Sequence, residues 1–175
     1  ALSNLISDRL SVIHGLEVRR QPVADDRSNM IAILGGSGGG RTLMLNGHMD
    51  TVGVDRMIID PFKPSIQNDL MYGRGACDMK GALAAMIGAV KSIADSGLKL
   101  GGDLIFSAVV DEEYKSIGIK KLVQEYKAHA AIVGEPTDMR VATAHKGFVW
   151  IEIEVKGKAA HGSVPEKGID AIAHA

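Results

Sequence analysis

Apolar positions recur along this 175-residue chain at two spacings, and the switches between them mark out its elements. In residues 1–13, Leu2, Leu5, Ile6, Leu10 and Ile13 fall on one side of a 3.6-residue repeat, which predicts an amphipathic helix. Residues 18–23 and 29–34 read as strands. The run Gly35-Gly36-Ser37-Gly38-Gly39-Gly40 leads into a third apolar segment, 41–46, so a hairpin is expected across the glycines. Residues 80–96 place Leu83, Met86, Ile87, Val90, Ile93 and Ala94 on one helical face. Asp78 stands before the first turn of this segment and Gly97 just past its end. A strand at 103–110, a helix at 116–126 and a strand at 130–133 complete a βαβ rhythm. Such a rhythm predicts an α/β fold: a mostly parallel twisted sheet with helices on both faces.

From about His145 the pattern changes. Residues 147–155 alternate cleanly in their second half, as a strand with one wet face does. A second, antiparallel domain is therefore expected to begin here, with only its start in 145–175, after a first domain over 1–144. The last residues, 171–175, read as a helix with no Gly, Asn or Pro to end it, and the first residues read as lying within structure. The chain is expected to be a fragment.

Composition changes the picture in one direction only. With 46% hydrophobic and 23% charged residues, the chain can bury a substantial core. Twenty basic residues balance 21 acidic ones, so charge gives no reason to expect nucleic acid or an anionic membrane as partner. Small-molecule partners fit better. No stretch approaches the roughly 20 apolar residues of a membrane span, and no basic-then-apolar signal opens the chain. One cysteine excludes an internal disulfide framework, which suits a reducing compartment; the cytoplasm is the expected location.

The candidate chemistry lies at the ends of the predicted strands. His48 and Asp50, then Asp78 within the string GRGACDMKG at 73–81, then Glu112-Glu113, then Glu135 form an ordered series of metal-capable and acid–base residues. Open α/β sheets bind ligands beyond the carboxyl ends of their strands, where distant side chains converge. Zinc accepts imidazole nitrogen and carboxylate oxygen, and a two-metal site needs a bridging carboxylate. His48, Asp78, Glu113 and Glu135 offer one imidazole and three carboxylates. Asp50, two residues from His48, can accept the imidazole's second N–H and fix its tautomer. Adjacent carboxylates at 112 and 113 point apart, so one can ligate while its neighbour takes a proton from water. The glycine run nearly fits a phosphate loop, but it has Arg41 where a lysine should stand and leads into a strand instead of a helix. A dinucleotide fingerprint fails at the same residue.

These motifs resemble the M20 metallopeptidases, a family that includes acetylornithine deacetylase, succinyl-diaminopimelate desuccinylase, aminoacylase and carboxypeptidase G2 types. The resemblance rests on GHMDTV at 47–52, GRGACDMKG at 73–81, DEE at 111–113, GEPT at 134–137 and GKAAHGS at 157–163. It implies a zinc-peptidase-like catalytic domain with two Zn²⁺ per site, for which Co²⁺ or Mn²⁺ could substitute. His48 and Glu135 would hold one ion, Asp78 would bridge, and Glu113 would hold the second. Asp50 would orient His48, and Glu112 would be the general base acting on a metal-bridged water. A non-proline cis peptide after Asp78 is also implied. His161 would come from a smaller α+β dimerisation domain, of which 145–175 is the truncated start, and serve the active site of a second subunit, so a homodimer is expected of the full-length protein. The family carries one further metal-binding histidine downstream of residue 175, so this chain by itself could be inactive.

The implied reaction is cleavage of the amide bond of an N-acyl amino acid, as in the deacetylase and desuccinylase branch. A metallo-dipeptidase or aminopeptidase acting on short peptides is the alternative, and a catalytically incomplete fragment or homologue is the third reading. Simpler roles stand beside each residue: Asp78 could cap the following helix, Glu135 before Pro136 could be a turn, and His161 could be a loop histidine. Cys77 reads as a small buried residue and not as a nucleophile, since no triad partner is evident. His14, His129, His145 and His174 read as structural or surface residues, and the methionines as core filler. Lys115 stands where relatives often carry glycine.

Overall fold

The computed structural model describes residues 2–147, 149 and 151–175. They form two compact units, split between Met139 and Arg140. In the first unit, α1 (Leu2–Ser11) is followed by β1 (Leu16–Ala24), β2 (Arg27–Leu34) and β3 (Leu43–His48). A small antiparallel hairpin, β4 (Ser65–Gln67) and β5 (Leu70–Tyr72), stands apart from the main sheet. Then come α2 (Gly81–Asp95), β6 (Leu104–Val109), α3 (Ile117–Glu125) and β7 (Ala130–Val133).

The main sheet has the order β1-β2-β6-β3-β7. Strands β6, β3 and β7 run parallel, and β1 and β2 add an antiparallel ribbon at one edge. The α/β class therefore holds, with a mixed sheet. The hairpin expected across the glycines is absent: β6 lies between β2 and β3, and each of the two pairs with it instead of with the other. The glycine loop wraps the start of β6 instead. Ser37 N–H donates to the Leu100 carbonyl (2.8 Å), Gly40 N–H to the Gly101 carbonyl (2.9 Å) and Gly36 N–H to Asp103 Oδ1 (2.9 Å). The local hairpin is β1–β2, turned at Asp25 in a left-handed conformation (φ 48°).

Alternation along the central strands fills both faces. Met30, Ala32, Leu45, Leu104, Phe106 and Ala108 pack with Ile6 and Leu10 of α1 and Leu83, Met86 and Val90 of α2. On the opposite face Ile31, Met44, Ile105 and Val109 pack with Leu122 of α3. Every residue of β6 is buried, as a strand covered on both faces requires. Asn29 is buried too, and its amide donates to Gln21 Oε1 (2.7 Å) and to the Gly118 carbonyl (2.9 Å) while its Oδ1 accepts the Val110 N–H (3.0 Å). It ties β2 to the end of β6 and the start of α3.

The second unit, Arg140–Ala175, holds a bridge between Lys158 and Ile169 and a single 3-10 turn at Pro165–Lys167. The strand expected at 147–155 is not formed at residues 147, 149 and 151–155; Phe148 and Trp150 lie outside the described residues. Val149, Ile151 and Ile153 are exposed, and among the described residues no neighbouring strand completes a ladder with the alternating pattern. The helix expected at 171–175 is a set of turns. No helix of the described residues is long and apolar enough to cross a membrane.

Candidate metal centre

Three parallel strands end on the same side of the sheet, and each delivers part of the cluster. His48 ends β3 opposite Val109 of β6, and Asn46 stands opposite Val133 of β7. Past those ends, Met49 N–H donates to the Val109 carbonyl (2.8 Å) and Gly134 N–H to the Asn46 carbonyl (3.1 Å), extending the ladder towards Glu112-Glu113 and Glu135. Asp78 arrives from the wide turn Ala76–Lys80 before α2. That turn includes a cis Asp78–Met79 peptide bond, as the resemblance implied. Asp78 makes no cap for α2, so the simple capping role does not apply. Cys77 is exposed, correcting the buried reading, because the turn carries it outward while Met79 goes into the core.

His48 is 1% exposed and lies at the centre of the cluster. Its Nε2 lies 2.9 Å from Asp78 Oδ1 and 3.6 Å from Glu135 Oε1. Its Nδ1 donates to the backbone carbonyl of Asp50 (2.9 Å), whereas the Asp50 carboxylate is 3.9 Å away. The expected orienting role of Asp50 thus falls to its main chain. Its carboxylate instead accepts the N–H groups of Glu112 (3.1 Å) and Glu113 (3.0 Å), clamping the end of β6 to the end of β3. Met79 Sδ accepts the His48 N–H (3.1 Å).

Two sets of donors converge: His48 with Glu112 and Glu135, and His48 with Asp78 and Glu113. In each set one ligand atom per residue lies within 4.8 Å of the others. Donors around a four-coordinate zinc ion stand about 3–4 Å apart, so small side-chain movements would bring either set to bonding distance. The residue types and their spacing fit a divalent cation.

The electrostatics agree with that fit. Burial disfavours a charged His48, but the hydrogen bonds to the Asp50 carbonyl and to Asp78, with the charges of Glu135 and Asp50, outweigh it and raise its pKa. Burial raises Glu113, helped most by the charge of Asp78 and opposed by His48. Glu135 is raised by burial and by Asp78, Glu112 and Glu113, against His48. Crowded carboxylates that resist ionisation together are relieved when a cation joins them.

Several contributors were not singled out from the sequence. Arg27 Nη1 donates to Asp111 Oδ1 (2.8 Å), and Asp111, itself left-handed (φ 62°), also accepts the Lys115 N–H (3.1 Å). This anchors the loop carrying Glu112 and Glu113 from behind. Lys115 contributes only its main chain, its exposed side chain lying over the Tyr114 ring. His129 Nδ1 accepts the Thr42 N–H (2.9 Å), a structural role, and His14, His145 and His174 are exposed. His161 lies exposed in the second unit, its Nδ1 2.9 Å from the Ser163 hydroxyl.

The profile of peptidase family M20/M25/M40 matches residues 44–175. The chain belongs to this family. It is 38% identical to the acetylornithine deacetylase of Myxococcus xanthus over 165 residues, covering 90% of this chain and 42% of that protein. It is also 38% identical to the acetylornithine deacetylase of Proteus mirabilis over 178 residues, covering 98% and 45%. Among solved structures, the aminopeptidase PepT of Bacillus cereus matches with a TM-score of 0.63 at 26% identity, covering 97% of this chain and 48% of that one. The chain thus spans less than half the length of these M20 relatives.

Proposed function

We propose that this chain carries most of the metal site of a zinc-dependent amidohydrolase that cleaves the amide bond of N-acyl amino acids. The convergence of His48, Asp78, Glu112, Glu113 and Glu135 beyond three parallel strands carries the reading. Its deacetylase form is supported by the 38% identity to two acetylornithine deacetylases, which makes N-acetylornithine the first substrate to try.

His48 and Glu135 would hold one ion, Glu113 the other, with Asp78 between them; cobalt or manganese suits the same donors. When bound, divalent ions polarise the amide carbonyl and lower the pKa of water. Glu112, held through its N–H by Asp50, takes a proton from the attacking water and delivers it to the leaving amine. Asp50 keeps Glu112 and Glu113 pointing apart by fixing both of their N–H groups. Residues 145–175 begin a dimerisation domain, and His161 serves the oxyanion in a second subunit of a homodimer. The proposed setting is the cytoplasm.

Elemental mass spectrometry on the purified chain tests the site, with an expected content of about one to two zinc per chain that falls in Asp78→Ala and Glu113→Ala. In the full-length protein, hydrolysis should vanish in Glu112→Gln while zinc is retained. A chain that takes up no zinc from an excess overturns the proposal. The likeness to an aminopeptidase favours a second reading, cleavage of short peptides with a free amine. Turnover of a tripeptide but not of N-acetylornithine would select it.

A further inference from the structure

Two glycines and one methionine meet beside the cluster, and each of the three adjoins one of its residues. Gly47 precedes His48 at the end of β3, Gly134 precedes Glu135 just past β7, and Met79 follows Asp78 in the wide turn before α2. A Cβ at Gly47 would stand 2.7 Å from Met79 Cε and 3.3 Å from Met79 Sδ, and one at Gly134 would stand 3.2 Å from the same Cε. The two strand ends are thus bare where the thioether lies between them, and Met79 is 0% exposed. On the side of α2, Leu83 Cδ2 comes within 2.8 Å of the first position and Ala82 Cβ within 2.9 Å of the second. A larger residue at either glycine would have to push Met79 or α2 aside.

The sulfur also meets a need of the backbone. Successive N–H groups of a strand turn to opposite edges. Met49 N–H turns to Val109 of β6, so His48 N–H turns to the β7 side, where the paired residues end at Asn46 and Val133. Met79 Sδ accepts this N–H at 3.1 Å. Core filling asks for volume alone; it does not ask for the sulfur to face an N–H group.

We propose that Met79 is a positioning residue of the cluster: seated between Gly47 and Gly134 and bound to the His48 N–H, it sets how close Asp78 comes to His48 and Glu135. The proposal rests on the reading of the cluster as a metal site. His48 and Glu135 are carried by strand ends, whereas Asp78 arrives from a turn, so the turn needs its own tie to the sheet. Met79 supplies that tie one residue away. His48 Nε2 lies 2.9 Å from Asp78 Oδ1 and 3.6 Å from Glu135 Oε1, and these are the spacings that the thioether holds. A methionine that only fills the core would act differently, since exchange for an apolar side chain of similar volume would change stability and leave the surroundings of the metal as they were.

Zinc affinity, the visible absorption of the cobalt-loaded form and the urea midpoint, measured for the wild-type chain, Met79→Leu and Met30→Leu, separate these cases. Met30 of β2 is also 0% exposed and packs in the core outside this slot, so Met30→Leu makes the same exchange without touching the His48 N–H. Met79→Leu should bind zinc about tenfold more weakly and shift the cobalt absorption, which reports the arrangement of the ligands, and Met30→Leu should do neither. Wild-type affinity and absorption in folded Met79→Leu overturn the proposal, as does an equal loss in Met30→Leu. If Met79→Leu does not fold, norleucine is incorporated in place of methionine, which keeps the shape of the side chain and removes its sulfur, and the same loss must appear. No zinc uptake by the wild-type chain overturns the metal-site reading and this one with it, whereas uptake that Met79→Leu leaves unchanged overturns this one alone.

Discussion

At the scale of single residues, Asp50 does two jobs with two different groups. Its carbonyl fixes the His48 ring, and its carboxylate holds the N–H groups of Glu112 and Glu113. A side-chain truncation therefore separates the two. Asp50→Ala leaves the carbonyl in place but strands two N–H groups, and should cost about 1–3 kcal/mol of stability in urea denaturation. It should also weaken zinc binding about 10–100-fold, the usual effect of losing a group that braces a ligand. Unchanged zinc affinity would show that Glu113 needs no such brace. The residue types of the cluster were legible in the motif strings, but the division of labour within Asp50 was not. Side chain and carbonyl are both acceptors, and only the path of the chain after β3 decides which one meets the ring.

At the scale of elements, the site is as rigid as the strand ends that carry it, and Asn29 is the main polar tie among them. It holds β2, the Val110 N–H just past β6 and the Gly118 carbonyl of α3 in one buried knot. No Cβ fits at Gly118, which would put one 2.2 Å from the Val110 carbonyl, so α3 packs hard against the loop that leads to Glu112. Asn29→Ala leaves several buried groups without partners and should cost about 3 kcal/mol, read as a lowered urea midpoint with unchanged slope. A cost below about 1 kcal/mol would mean that water replaces the amide. Strands β2, β6 and β7 and helices α2 and α3 were predictable to within a few residues from apolar periodicity. The supposed glycine hairpin failed because periodicity marks a strand and is silent about its neighbour. Ladder partners are chosen by packing on both faces, and β6, apolar on both, took the central position.

At the scale of the whole molecule, stability and metal binding are coupled through protons. His48, Glu113 and Glu135 all have folded pKa values raised above their ordinary values of 6.5, 4.5 and 4.5. A raised group contributes stability that is fully present below its unfolded pKa and lost as pH rises through its folded pKa. The metal-free chain should therefore lose stability through deprotonation of the two glutamates from about pH 4.5 upward, and of His48 from about pH 6.5 upward. Zinc requires those same groups without their protons, so the rise in melting temperature on adding zinc should grow between about pH 5 and pH 8. Melting curves with and without zinc across that range check both signs, and a zinc effect that shrinks with rising pH contradicts the assignment of these three as ligands.

The amino-acid sequence alone determined which residue types are available, where most helices and strands of the first unit lie, and that five short strings resemble those of one hydrolase family. Those properties are local, and each is written in a few consecutive residues. Tertiary structure decided what the strings become together. It inserted β6 between β2 and β3, turned the Asp50 carbonyl and not its carboxylate to His48, brought Arg27 to Asp111, and seated Met79 between Gly47 and Gly134. Each of these is a contact between segments whose meeting depends on the packing of the sheet as a whole, and packing is a sum over many weak contacts that no single stretch of sequence contains.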